Sequence, residues 1–190
     1  MFPFFKRRSA DEDPQRAVDE NQNRNAQLRA DMLWQQGGKY LARKRLDRAV
    51  ETMRQAYELE PSRLEGRLNL GAALYLTGHS EEAITHFKYV LAFDPQNTMA
   101  LLNMAACYDG IGDLEQSIAT LEKLVEERPQ WKDAHYNLAV AYYKRGLYDQ
   151  AADALRAELK INPEHDLART LLNKIHLMLP QSRQKEKGKG

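Results

Sequence analysis

Residues 132–163 read KDAHYNLAVAYYKRGLYDQAADALRAELKINP, and their plan recurs three times upstream at a fixed distance. Proline marks the interval: Pro61, Pro95, Pro129 and Pro163 stand 34 residues apart. A period of that length signals a stack of like supersecondary units, each burying its apolar face against the next. One closed core would leave no such period.

Numbering each unit so that its proline is position 32 shows what is repeated. Position 8 is small (Gly37, Gly71, Ala105, Ala139), and so is position 20 (Ala49, Ala83, Ser117, Ala151). Large side chains hold position 11 (Tyr40, Leu74, Tyr108, Tyr142) and position 24 (Met53, Phe87, Leu121, Leu155). Position 27 is read as apolar, at Ala56, Val90, Leu124 and Ala157. Spacings of three and four place these residues in one stripe on each of two helices. Small residues at 8 and 20 let the helix backbones approach, and large ones at 11 and 24 fill the space around that contact. Gly78, Gly112 and Gly146 at position 15 suit a sharp turn that needs positive φ. Each proline then ends the second helix, because it lacks the N–H that a continuing helix requires.

This pattern resembles the tetratricopeptide repeat family over residues 30–163, most clearly in the fourth unit with His135, Tyr136, Asn137, Leu138 and Ala139. Arg67 and His135 at position 4, Gln36 at position 7 and Lys44 at position 15 depart from the family pattern. The resemblance implies an all-α fold, a right-handed α-solenoid of four helix-turn-helix repeats closed by a C-terminal capping helix. The repeats are expected at 30–63, 64–97, 98–131 and 132–165, and the cap at 166–179. In that cap Leu167, Leu171, Ile175 and Leu179 fall on one face, and an end helix needs its other face polar. Residues 1–29 form an N-terminal tail, aromatic and basic and then polar, partly disordered, with 14–29 read as a frayed extension of the first helix. Residues 180–190 are expected to be a disordered basic tail.

A net charge of +1 gives no broad positive field for nucleic acid, and none is expected as a partner. The single Cys107 excludes an internal disulfide framework and suits a reducing, cytoplasmic setting. It is read as a small buried hydrophobe. Histidines at 79, 86, 135, 165 and 176 show no paired ligand spacing, so no metal is assigned. Gly110 and Gly112 belong to a turn, so no phosphate-cradling loop and no cofactor is assigned. No nucleophile has an activating neighbour in the sequence, and the chain reads as a non-enzyme.

The resemblance implies that the first helix of each repeat lines a concave face through positions 2, 5, 6, 9, 12 and 13. Position 6 holds Asn69, Asn103 and Asn137, which resembles the asparagine ladder on the inner face of some repeats of this family. An amide both donates and accepts, so such a row suits the backbone of an extended peptide. Trp34, Tyr75, Tyr136 and Tyr143 are read as exposed aromatic contacts, with Val140 beside them. The cations of a carboxylate clamp are absent: Trp34 and Gly38, Leu68 and Ala72, and Leu102 and Ala106 stand at positions 5 and 9. The expected role is a protein-interaction adaptor that binds an extended or helical client segment. Two alternatives stand beside it. One is an assembly or chaperone factor held at a membrane surface by Phe2, Phe4 and Phe5, which precede Lys6, Arg7 and Arg8. The other is a regulatory subunit of a separate catalytic chain.

Overall fold

The computed structural model describes residues 14–179. Among them are nine α-helices and no strand: α1 (Pro14–Ala42), α2 (Leu46–Leu59), α3 (Leu64–Leu76), α4 (Ser80–Phe93), α5 (Thr98–Gly110), α6 (Leu114–Glu127), α7 (Ala134–Arg145), α8 (Tyr148–Ile161) and α9 (Asp166–Met178). The chain divides into two compact units, one up to Gly66 and one from Arg67.

The turn between paired helices is the same four times. The position 15 residue donates its N–H to the carbonyl of position 12, and the position 16 residue donates to position 11. Thus Gly78 bonds Tyr75 and His79 bonds Leu74, just as Gly146 bonds Tyr143 and Leu147 bonds Tyr142. This is the Schellman arrangement, which satisfies the orphan carbonyls of a helix end through one left-handed residue. Gly78, Gly112 and Gly146 take φ of 86°, 83° and 81°. Lys44 takes φ 56° at the same place in the first repeat, so there a residue with a β-carbon occupies the strained region. The position 16 carbonyl then accepts the first bond of the next helix, from Ala49, Ala83, Ser117 or Ala151.

The second helices end two residues before each proline. Glu60, Asp94, Arg128 and Asn162 leave the helix with φ between −139° and −130°. A proline forces this, since its ring clashes with a helical residue ahead of it.

Within a pair, the tight contact runs from position 8 to position 24. A β-carbon on Gly37 would lie 2.5 Å from Met53 Cγ, and one on Gly71 would lie 2.8 Å from Phe87 Cε1. The first two repeats thus match glycine to a longer partner, Met53 or Phe87, while the third and fourth place Ala105 and Ala139 opposite Leu121 and Leu155 in the sequence pattern. In the second unit a continuous core joins Leu101, Leu121, Leu124, Leu138, Leu155 and Ile175.

Polar residues at position 4 find partners. The Arg67 guanidinium lies 3.4 Å from the Tyr89 ring centroid, and His135 Nε2 is 2.9 Å from the Pro129 carbonyl oxygen.

Residues 14–29, read as a frayed extension of the first helix, form the first half of α1. Gln and Arg in this stretch are good helix formers, and Gln27 Nε2 ties it to the end of α2 by donating to Glu60 Oε1 at 2.9 Å. Two expectations need correction. Position 27 of the fourth repeat is Glu158, not Ala157, and it is fully buried. In α9 Leu167 is 63% exposed and Ala168 takes its place in the contact face with Ile175. Stepping one residue along a helix rotates the side chain by about 100°, enough to turn it from core to solvent. The Phe2, Phe4 and Phe5 segment and the 180–190 tail lie outside the described residues.

Candidate interaction groove

Helices α5, α6 and α7 enclose an open cavity of about 150 Å³ in the second unit. Ala105, Ser117, Leu121 and Ala141 are buried and close its base, while Leu102, Ala106, Asp109, Asn137 and Val140 remain partly or fully accessible. The opening exists because positions 5 and 9 of α5 and position 9 of α7 carry only aliphatic side chains, with small Ala106 between. Such a space accepts one apolar side chain and is too small for most cofactors.

Two ion pairs fix α7 against its neighbours. Lys144 Nζ donates to Asp109 Oδ2 at 2.6 Å and Oδ1 at 2.8 Å, and Arg145 Nε donates to Glu115 Oε1 at 2.6 Å. The Arg145 guanidinium holds the Glu115 carboxyl below the usual carboxylate range. Asp109 sits at position 12, where the other repeats carry Leu41, Tyr75 and Tyr143. That break in the apolar pattern was the available signal for an acid at the cavity, and reading position 12 only for aromatics passes over it.

Among the described residues, the side-chain amides of Asn69, Asn103 and Asn137 make no hydrogen bond. Asn137 is exposed and lines the cavity with Val140, while Asn103 follows the lining residue Leu102 on α5. Asn69 stands at the same helical position on α3 and is half-buried, as is Asn103.

The aromatics fare differently. Trp34 is 5% exposed, so it is a core residue and not a surface contact. Gly66 makes room for it, since a β-carbon there would lie 2.6 Å from Trp34 Cε2. Tyr136 and Tyr143 are half-buried against the core of the second unit. The Tyr136 ring packs on His165 with centroids 4.6 Å apart, and Lys174 Nζ lies 5.0 Å from the Tyr143 ring centroid. Tyr75 is half-buried on α3, near Gly110, where a β-carbon would stand 4.0 Å from its ring. Of the residues expected at the groove, the cavity lining thus includes Asn137 and Val140, while Asn69, Asn103 and the three tyrosines are not part of it.

Family models described as tetratricopeptide repeat match residues 35–98 and 108–166, and a second such model matches 80–135. By sequence, the chain matches none of the curated proteins. Among solved structures, MamA from Desulfovibrio magneticus RS-1 is similar at a TM-score of 0.73 and 22% identity, over 79% of this chain and 85% of that one. Another MamA structure aligns at a TM-score of 0.71 and 20% identity, over 78% and 81%. YrrB, described as a TPR protein with an unusual peptide-binding site, aligns at 0.71 and 19%, over 83% and 78%. At these identities the likeness shows the fold, an all-α repeat solenoid.

Proposed function

The chain belongs to the tetratricopeptide repeat family, and from that premise we propose that it is a non-catalytic adaptor that holds an extended or helical client segment along the first helices of its second unit. The observation that carries this reading is the row of three amides at position 6 with no hydrogen bond among the described residues. Partly or fully accessible amides with no partner in the chain keep both donor and acceptor open to a ligand. An Asn amide pairs with a peptide bond through both its oxygen and its nitrogen. The cavity between Leu102 and Val140 then takes one apolar side chain of the client, which sets register. Tyr75, Tyr136 and Tyr143 add partly exposed aromatic edges in the same unit.

The test is a peptide-display selection on the full chain, followed by calorimetry of the selected peptide. A folded Asn69→Ala, Asn103→Ala, Asn137→Ala variant should bind roughly ten- to a thousandfold more weakly, if each hydrogen bond contributes about 0.5–1.5 kcal/mol. Unchanged affinity would remove the amides from the site.

A further inference from the structure

Glu158 is 0% exposed, at a position the other three repeats fill with Ala56, Val90 and Leu124. Its Oε1 accepts the backbone N–H of Asp133 at 3.1 Å, while its Oε2 has no hydrogen-bond partner. Buried carboxylates in folded proteins are paired with cations, hydrogen-bonded at both oxygens, or bound to metal. No ion pair with Glu158 exists among the described residues.

Two further groups converge on it from separate loops. Asp133 sits at the turn before α7 with φ 67°, and its side chain is half-exposed. His165 precedes α9, with its ring held by the Tyr136 stack. One ligand atom from each of Asp133, Glu158 and His165 lies within 4.8 Å of the others. His165 Nε2 is 3.2 Å from Asp133 Oδ1, and His165 Nδ1 accepts the Ala168 N–H at 3.2 Å. That acceptance requires the neutral tautomer with its proton on Nε2, facing Asp133.

We propose that Asp133, Glu158 and His165 form a binding site for a divalent first-row transition ion, with Zn²⁺ the best fit. Two carboxylates cancel the ion's charge, and an imidazole favours zinc over magnesium or calcium. Ligands about 2.1 Å from a tetrahedral zinc stand roughly 3.4 Å from one another. The Asp133–His165 pair, at 3.2 Å, is already close to that spacing, and no ligand atom is more than 4.8 Å from another, so the three gather around an ion with shifts of about 1.4 Å at most. The ion replaces the Nε2 proton, and the imidazole then carries its proton on Nδ1. The Ala168 N–H loses its acceptor, so binding loosens the cap of α9. Three protein ligands leave the fourth position for water or a partner's side chain.

Zinc titrated into the untagged full chain by calorimetry tests this. The expected result is one ion per chain, with affinity at least about tenfold lower in both Asp133→Asn and Glu158→Gln. Hydrogen exchange at the Ala168 amide should quicken when zinc is added to the parent and stay unchanged in Asp133→Asn. If Glu158→Gln fails to fold, Asp133→Asn decides alone, because its side chain contributes little to the core. Absence of binding, or binding equal in the parent and Asp133→Asn, overturns the site and leaves only adventitious contact with surface histidines.

Discussion

Gly71 and Phe87 are a matched pair: a β-carbon on the glycine would stand within 2.8–3.2 Å of three atoms of the phenylalanine ring. The crossing of α3 and α4 is therefore set by the sum of two side-chain volumes and not by either alone.

Gly71→Ala should cost about 1–3 kcal/mol by overpacking, and Phe87→Leu alone about as much through the space it leaves. The double variant reproduces the alanine and leucine of the third and fourth repeats and should recover most of the loss. A double-mutant cycle from urea denaturation reads the coupling. Additive losses would show that the two side chains do not share one space.

Lys44 and Gly78 occupy equivalent turns under opposite conditions. Lys44→Gly should stabilise by about 1 kcal/mol, because a residue with a β-carbon is disfavoured at positive φ. Gly78→Ala should destabilise by about as much, although nothing lies within 4 Å of the added carbon. Thermal unfolding of the two variants checks both, and equal midpoints would remove backbone strain as the cause.

Alkaline pH should weaken the fold. Burial pushes the Cys107 thiol up to about 11 from 9.0. Burial, reinforced by the hydrogen bond from Tyr142 Oη to Glu122, pushes Tyr142 up to about 12 from 10.0. The unfolded chain loses these protons first, so their contribution is complete below about pH 9 and fades as pH rises through the folded values. The urea midpoint should fall between pH 9 and 12, and a Cys107→Ala, Tyr142→Phe variant should show a shallower fall. An identical slope would assign the loss to other groups.

Trp34→Ala should cost about 3–5 kcal/mol, as expected for deleting a buried indole. A surface contact would lose almost nothing. Unfolding followed by hydrogen exchange within residues 30–63 separates the two, and unchanged protection there would return Trp34 to the surface.

The helix pairs were legible because glycine and proline act locally: a left-handed turn and a missing N–H leave the same mark in every repeat. The asparagine row was legible for the same reason, since periodicity places Asn69, Asn103 and Asn137 at one helical position. Trp34 was not, because position 5 describes an angle around a helix and says nothing of whether a glycine such as Gly66 has opened room beneath it. Leu167 failed by one residue of phase. The Asp133, Glu158 and His165 grouping was hidden because its members are 25 and 7 residues apart, on three elements that meet only in the folded chain. A correct register would have flagged Glu158 as an acid at an apolar position, without naming its neighbours.

In every repeat the residue that completes the Schellman turn also supplies the first carbonyl of the following helix. No residue between positions 11 and 20 is spare. One inserted there would turn the second helix by about 100° and carry its apolar stripe out of the core. The loops after each proline are looser: α3, α5 and α9 begin at position 1, yet α7 begins two residues later at Ala134. Insertions and deletions that preserve the fold should therefore collect between repeats, and the turn inside each repeat behaves as a keyed joint that fits in one orientation.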